Sequence, residues 1–242
     1  MKFFKITLIF LFFTYFTILN ASEIKSDLPK KKIAYIVSDI KIPFWEIMSR
    51  GIKNNAEKLG YEAIIYSSNN LKKTEIENTL LAIKEKVDGI ILSPINSSSA
   101  VTILKFAESS NIPVVISDIG ADKDNYISYI YSNNEEGAYK IGQVLVSKMQ
   151  ELGWDKTGSV GIISNPQKRE NGKARTNGFI KAMSESNIDV LGLKQQVDFS
   201  YAETYDFTKE LIKENKNLRA IWLQGSDKYK GALDAIKDAG KE

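Results

Sequence analysis

Ile33-Ala34-Tyr35-Ile36-Val37 is an unbroken apolar run, and Ser38-Asp39-Ile40-Lys41-Ile42 carries it into Pro43-Phe44-Trp45. Five consecutive apolar residues bounded by polar ones read as a strand buried on both faces, the pattern of a parallel sheet. Over 43–59 the period changes. Trp45, Met48, Ile52 and Ala56 recur every three or four residues, so a helix follows. Pro43 stands where a first helical turn tolerates a missing N–H, and Gly60 where a helix ends. A buried strand feeding a crossover helix is the unit of a parallel α/β sheet.

The same alternation continues outward. Strands are expected at 61–66, 89–92 and 112–117, with helices at 74–86 and 100–109 between them. Thr74 and Glu77 have the spacing of a capping box. The pattern then restarts, with strands at 126–131, 159–164, 190–197 and 219–223. Helices are expected at 135–152, 174–186, 202–214 and 228–239, and Gly137, Ala138 and Gly142 give the first of these a face for close packing. The polar turn Ser132-Asn133-Asn134 separates the two runs. The expected fold class is therefore α/β, with two Rossmann-like lobes built on parallel sheets, at 33–132 and 133–242.

The 242 residues, 43% of them hydrophobic, suffice for two such cores. Ahead of them, Met1-Lys2-Phe3-Phe4-Lys5 is basic, 6–19 is apolar apart from threonines, and Asn20-Ala21 places a small residue before Ser22. This predicts a signal peptide over 1–21, cleaved near Ala21, followed by a polar linker at 22–32. A retained membrane anchor is the alternative, but the apolar run is shorter than the roughly 20 residues a spanning helix needs. Without Lys2 and Lys5 the chain carries 31 basic and 30 acidic side chains, so nothing points to nucleic acid as a partner. A DNA-binding repressor would need a helix-turn-helix where the leader stands.

There is no Cys and no His. That removes disulfides, lipid attachment through a thioether, thiolate chemistry, imidazole acid–base catalysis and the commonest zinc sites. No G-x-G-x-x-G follows the first strand, no P-loop occurs, and Gly225-Ser226-Asp227 is not a nucleophile elbow. The expectation is a binding protein without cofactor or metal, not an enzyme.

Open parallel sheets bind ligands beyond the carboxyl ends of their strands. Those ends supply Ser38, Phe44 and Trp45 after the first strand, Ser93 after the third and Asp118 after the fourth. In the second half they supply the 165–175 loop with Arg175, then Phe199, then Gln224-Gly225. Aromatic rings could stack on an apolar face of a ligand. Asp118 and Arg175 could make charge-assisted hydrogen bonds, and the serines neutral ones. Core packing for the aromatics, a turn cap for Asp118 and a solvated helix face for Arg175 are the plainer alternatives.

These residues, taken with an ordered series of motifs, resemble type I periplasmic binding proteins of the ribose and galactose group. The series begins with 32–38 and Pro43-Phe44-Trp45. It continues through Val87-Asp88-Gly89-Ile90-Ile91-Leu92-Ser93-Pro94 and Ile112-Pro113-Val114-Val115-Ile116-Ser117-Asp118. It ends with Ser132-Asn133-Asn134, Arg175 with Gly178-Phe179, and Gly231-Ala232-Leu233. The resemblance implies two lobes joined by three crossovers, closing by hinge bending over a small ligand. It implies contacts from Ser38, Phe44, Trp45, Ser93, Asp118, Arg175, Phe199 and Gly225. It also implies a monomer in the periplasm that delivers a sugar-like solute to a membrane permease of ABC type. The family's pattern continues beyond the length of this chain, so the second lobe is expected to be incomplete.

Four positions depart from the sugar binders. Ile42, Ser93, Ile119 and Gly225 stand where those proteins place Asn, Asn, Arg and Asn. Since a buried hydroxyl needs a partner, the expectation is a smaller or less hydroxylated ligand. The 165–179 segment and Lys41 to Trp45 are also similar to sensory binding proteins of the TorT type, which bind trimethylamine N-oxide and report to a membrane kinase. That leaves a sensor kinase as the alternative partner.

Overall fold

The computed structural model describes residues 30–123, 125–225 and 229–242. The expected leader, most of the linker, and Ser226 and Asp227 lie outside them. Five strands form one sheet: β1 (Lys32–Val37), β2 (Glu62–Ser67), β3 (Gly89–Ser93), β4 (Val114–Ser117) and β5 (Ser128–Ile130), in the order β2-β1-β3-β4-β5. A second sheet has the order β7-β6-β8, from β6 (Ser159–Ser164), β7 (Asp189–Gln195) and β8 (Leu218–Leu223). Every pairing is parallel.

The central position of β1 explains its composition. Ala34 and Ile36 face a core with Ile90, Leu92 and Ile116, capped by Ala100, Ile103 and Leu104 of α3 (Ser97–Ser109). Tyr35 and Val37 face the other way, into a cluster with Trp45 and Ile119. Both faces are dry, so no polar residue is tolerated from Ile33 to Val37. Each fully buried Ile, Leu or Val contributes about 1.5–3 kcal/mol. The register Val37↔Ser93 brings the ends of β1 and β3 to one level, and β4 ends beside them. The first sheet therefore presents Ser38, Ser93 and Asp118 along a single edge.

Helix α1 (Pro43–Lys58) starts on Pro43 as the sequence predicts. Three other helices start two or more residues earlier than expected. Helix α2 (Lys72–Lys84) has Leu71 at its N-cap with no side-chain cap, so the predicted Thr74–Glu77 capping box does not form. Instead Glu75 turns inward and is fully buried. Helix α3 begins at Ser97 because Asn96 Oδ1 accepts the Ser99 N–H. Helix α5 (Glu170–Glu185) begins four residues before the expected 174, so half of the supposed 165–175 loop is helical.

Between β5 and β6 runs α4 (Asn134–Glu151), which packs along α5. The chain passes from the first sheet to the second in this stretch, and among the described residues it does so once, where the resemblance implies three crossovers. The expected close packing occurs at Gly142, where an added Cβ would lie 2.6 Å from that of Ala182. Gly178 of α5 lies against the Glu135 carbonyl, whereas Gly137 faces open space. Helices α6 (Tyr201–Glu214) and α7 (Tyr229–Asp238) complete the second half. Its core centres on Val160, Ile162, Phe179 and Met183, with Phe179 stacked on Trp222 at 4.1 Å between ring centroids.

Gly178→Ala gains helix propensity but drives its methyl into backbone that cannot yield. It is expected to destabilise by about 1–3 kcal/mol. Gly137→Ala should be neutral or stabilising by up to about 1 kcal/mol. Thermal melts followed by circular dichroism test the contrast, and equal melting temperatures for the two variants would refute the packing argument.

Candidate functional site

Between the strand ends of the two sheets lies a cavity of about 320 Å³. One wall is apolar: Ile42, Pro43, Phe44 and Trp45 at the turn from β1 into α1. Trp45 is buried at 3% exposure, while Phe44 stands 51% exposed with its ring edge-on to Trp45, centroids 4.8 Å apart. Trp45 anchors the turn in the core and Phe44 is left as the surface a ligand meets.

Asp118 forms the floor at the end of β4. Its φ of 61° is left-handed, a conformation Asp tolerates better than most residues. The turn is pinned by Asp118 N–H donating to Ile130 O at 2.9 Å and by the Tyr129 hydroxyl donating to Asp118 O at 3.0 Å. Burial raises the pKa of the Asp118 carboxyl. Arg175, Arg169 and a hydrogen bond from Asn171 oppose that rise.

The opposite wall is polar and comes from the second sheet. Arg175 donates through Nε to Asn134 Oδ1 at 2.7 Å and through Nη1 to Gln224 O at 3.0 Å. Gln224 in turn accepts the Asn165 N–H at 3.0 Å and donates to Thr176 Oγ1 at 2.7 Å. Asn171 Nδ2 donates to Asp118 Oδ2 at 2.6 Å, which joins the two walls. Phe199 is held at φ 53° because the Glu203 carboxylate collects the N–H groups of Val197, Asp198 and Phe199.

Arg169 is buried between the halves. Its Nε donates to Ile95 O at 3.0 Å and its Nη2 to Asn70 Oδ1 at 3.1 Å, both in the first half. Its guanidinium lies 5.4 Å from the Phe199 ring centroid. Desolvation brings its pKa down to about 10, against the pull of Asp118, Glu75 and Asp39, so it stays cationic at neutral pH. The loop that receives it is set by Glu75, whose carboxylate accepts Ile95 N–H and Ser99 Oγ–H, each at 2.7 Å. Burial raises the Glu75 pKa. The Ser99 and Ile95 hydrogen bonds, Lys72 and Arg169 oppose it.

Six of the expected residues thus converge: Phe44, Trp45, Asp118, Arg175, Phe199 and Gly225 all line the cavity. Ser38 and Ser93 do not. Both are fully buried behind the wall, and Ser93 Oγ is 2.9 Å from the Tyr35 hydroxyl. Of the four substituted positions, Ile42 and Gly225 face the cavity, while Ile119 is fully buried with Tyr35, Val37 and Trp45. Asn165, Arg169, Asn171 and Gln224 line the cavity as well; they fall in the strand-end segments picked out from sequence but have no contact assigned to them there. The helical spacing of Asn171 and Arg175, one turn apart, is the signal that a helix start at Glu170 would have exposed.

The profile of the periplasmic binding protein domain matches residues 33–242, nearly the whole described chain. The chain belongs to the periplasmic binding protein family. Among relatives of this periplasmic binding protein, the ribose import binding protein RbsB of Escherichia coli K12 is 28% identical over 223 residues, which are 92% of this chain and 73% of that protein. An ABC transporter solute-binding protein from Burkholderia multivorans, solved with an unknown ligand fitted as α-D-erythrofuranose, superposes with a TM-score of 0.78 at 25% identity. The match covers 88% of this chain and 77% of that one. A Mycobacterium smegmatis structure in complex with β-D-fucofuranose shares the fold, with a TM-score of 0.78 at 20% identity over 88% of this chain and 70% of that one. The two-sheet α/β architecture of this periplasmic binding protein is that of type I members. Its relatives include solute-binding proteins such as RbsB and, at 26–27% identity, transcriptional repressors of the PurR type.

The Glu75 carboxyl has a raised pKa, so the folded protein holds its proton more tightly than the unfolded chain. That contribution to stability is complete below the unfolded pKa and is lost as pH rises through the folded one. Glu75→Gln titrates nothing at this position. The melting temperature of the native chain relative to Glu75→Gln is therefore expected to be higher near pH ~5 than near pH ~8. A difference that does not change with pH would remove Glu75 from this role.

Proposed function

We propose that this protein captures a small neutral sugar of furanose size between its two lobes, in the periplasm, and delivers it to an ABC-type importer. The observation that carries the reading is the cavity itself: an exposed aromatic face at Phe44 set opposite a hydrogen-bonding wall of amides, guanidinium groups and a carboxyl. Asp118 feels both Arg175 and Arg169, and Arg169 also feels Glu75 and Asp39, so the wall carries both signs of charge. A neutral polyol finds both donors and acceptors there.

The apolar substitutions at Ile42, Ile119 and Gly225 had pointed to a less hydroxylated ligand. Asn165, Asn171 and Gln224 bring polar groups from the other side of the cavity, which supports a sugar again. The import role of the RbsB relatives and the furanose ligands of the two structures support the same reading. They favour transport over sensing. The leader over 1–21 supplies the route to the periplasm.

Titration with D-ribose, L-arabinose and glycerol, read by tryptophan emission and calorimetry, tests this. At least one is expected to bind, with a saturable heat at one ligand per chain. Phe44→Ala is expected to weaken that binding by about 10- to 100-fold, from the loss of one stacked ring. Because Phe44 is half exposed, its melting temperature should change little. Unaltered affinity in Phe44→Ala would contradict the placement of the ligand.

A further inference from the structure

We propose that Asn171 is a specificity-determining residue of this site. Together with Asp118 it forms a two-acceptor edge that reads a vicinal diol across the cleft. The inference rests on the sugar-binding reading above and names the chemical feature selected.

Asn171 lies in the first turn of α5 and is 6% exposed. Its amide orientation is settled by its neighbour. Only the Nδ2 group can face the Asp118 carboxylate, to which it donates at 2.6 Å. The Oδ1 atom is then left as the unused acceptor, and it is buried with no hydrogen-bond partner on a residue that lines the cavity. A buried amide oxygen beside a cavity, with its donor side already engaged, calls for a hydroxyl proton from the ligand. Asp118 retains lone pairs beyond the one Asn171 uses. Two acceptors on groups joined by a short hydrogen bond match two hydroxyl protons on adjacent carbons.

The residue is rigidly placed. The segment before it is so tight that a Cβ on Gly172 would meet Pro166 O at 2.9 Å. Thr176 Oγ1 ties the next turn back to Gly172 O at 3.1 Å. Asp118 belongs to the first sheet and Asn171 to the second half, so a diol bound to both spans the two lobes.

The test is calorimetry on the full chain with D-ribose and 2-deoxy-D-ribose, whose furanose ring has no vicinal diol. The native protein is expected to prefer D-ribose by about tenfold or more. In Asn171→Ala that preference should fall toward unity, with 2-deoxy-D-ribose bound about as before. Asn171→Ser, which keeps an acceptor and remains folded should the alanine variant unfold, should retain an intermediate preference. If Asn171→Ala weakens both sugars equally and keeps the preference, Asn171 only supports the fold of the site and the inference fails while sugar binding stands. A native protein that binds both sugars equally also overturns it. A native protein that binds neither overturns the sugar reading, and this inference with it.

Discussion

The buried guanidinium of Arg169 is the contact on which the site depends. It leaves the second half of the protein to find a backbone carbonyl and an amide in the first, and a phenyl ring covers it. Its acceptor loop would not hold its shape without Glu75, whose carboxylate satisfies the Ile95 N–H and the Ser99 hydroxyl. Two more hydrogen bonds dock the same segments: Glu170 N–H to Ser97 Oγ at 2.9 Å and Ser97 N–H to Lys168 O at 3.2 Å. Removing the guanidinium would leave the Ile95 carbonyl and the Asn70 amide oxygen without their donor, at roughly 1–3 kcal/mol for each buried group left unsatisfied. Everything that lines the cavity is positioned relative to this junction.

From the junction the division of labour follows. The first sheet contributes the aromatic turn and a single carboxylate. The second contributes amides and guanidiniums. A ligand with one apolar face and one hydroxylated edge satisfies both, which is the general form of a sugar ring. The family resemblance had placed polar contacts at Ile42, Ile119 and Gly225. Here hydrogen-bonding capacity lies at the start of α5 and at the end of β8, while Ile42 on the first-sheet side is apolar.

Much of this was legible in the sequence, for reasons that differ by element. Ile33 to Val37 read correctly because a strand with two dry faces has no other composition. Phe44, Trp45, Asp118 and Arg175 could be brought to one cavity from the sequence because strand ends of a parallel sheet converge whatever their side chains. Ser38 and Ser93 misled because such a strand carries no alternation to say which way a polar residue at its end will point. Asn171 and Arg169 were hidden because α5 starts on Arg169 without any side-chain cap, so the segment looked like loop. Glu75 was hidden because a carboxylate in a first helical turn is ordinarily a solvated one, and its inward turn depends on two donors from a distant loop.

The anchoring of Phe199 has a consequence for entropy. A single Glu203 carboxylate gathers three successive amides and fixes the backbone of the ring that faces the cavity. An aromatic on a free loop would lose conformational freedom each time a solute arrived and regain it each time one left. This ring has been ordered by folding, so stacking against it forfeits little, and the affinity of its contact is not discounted by the work of immobilising it.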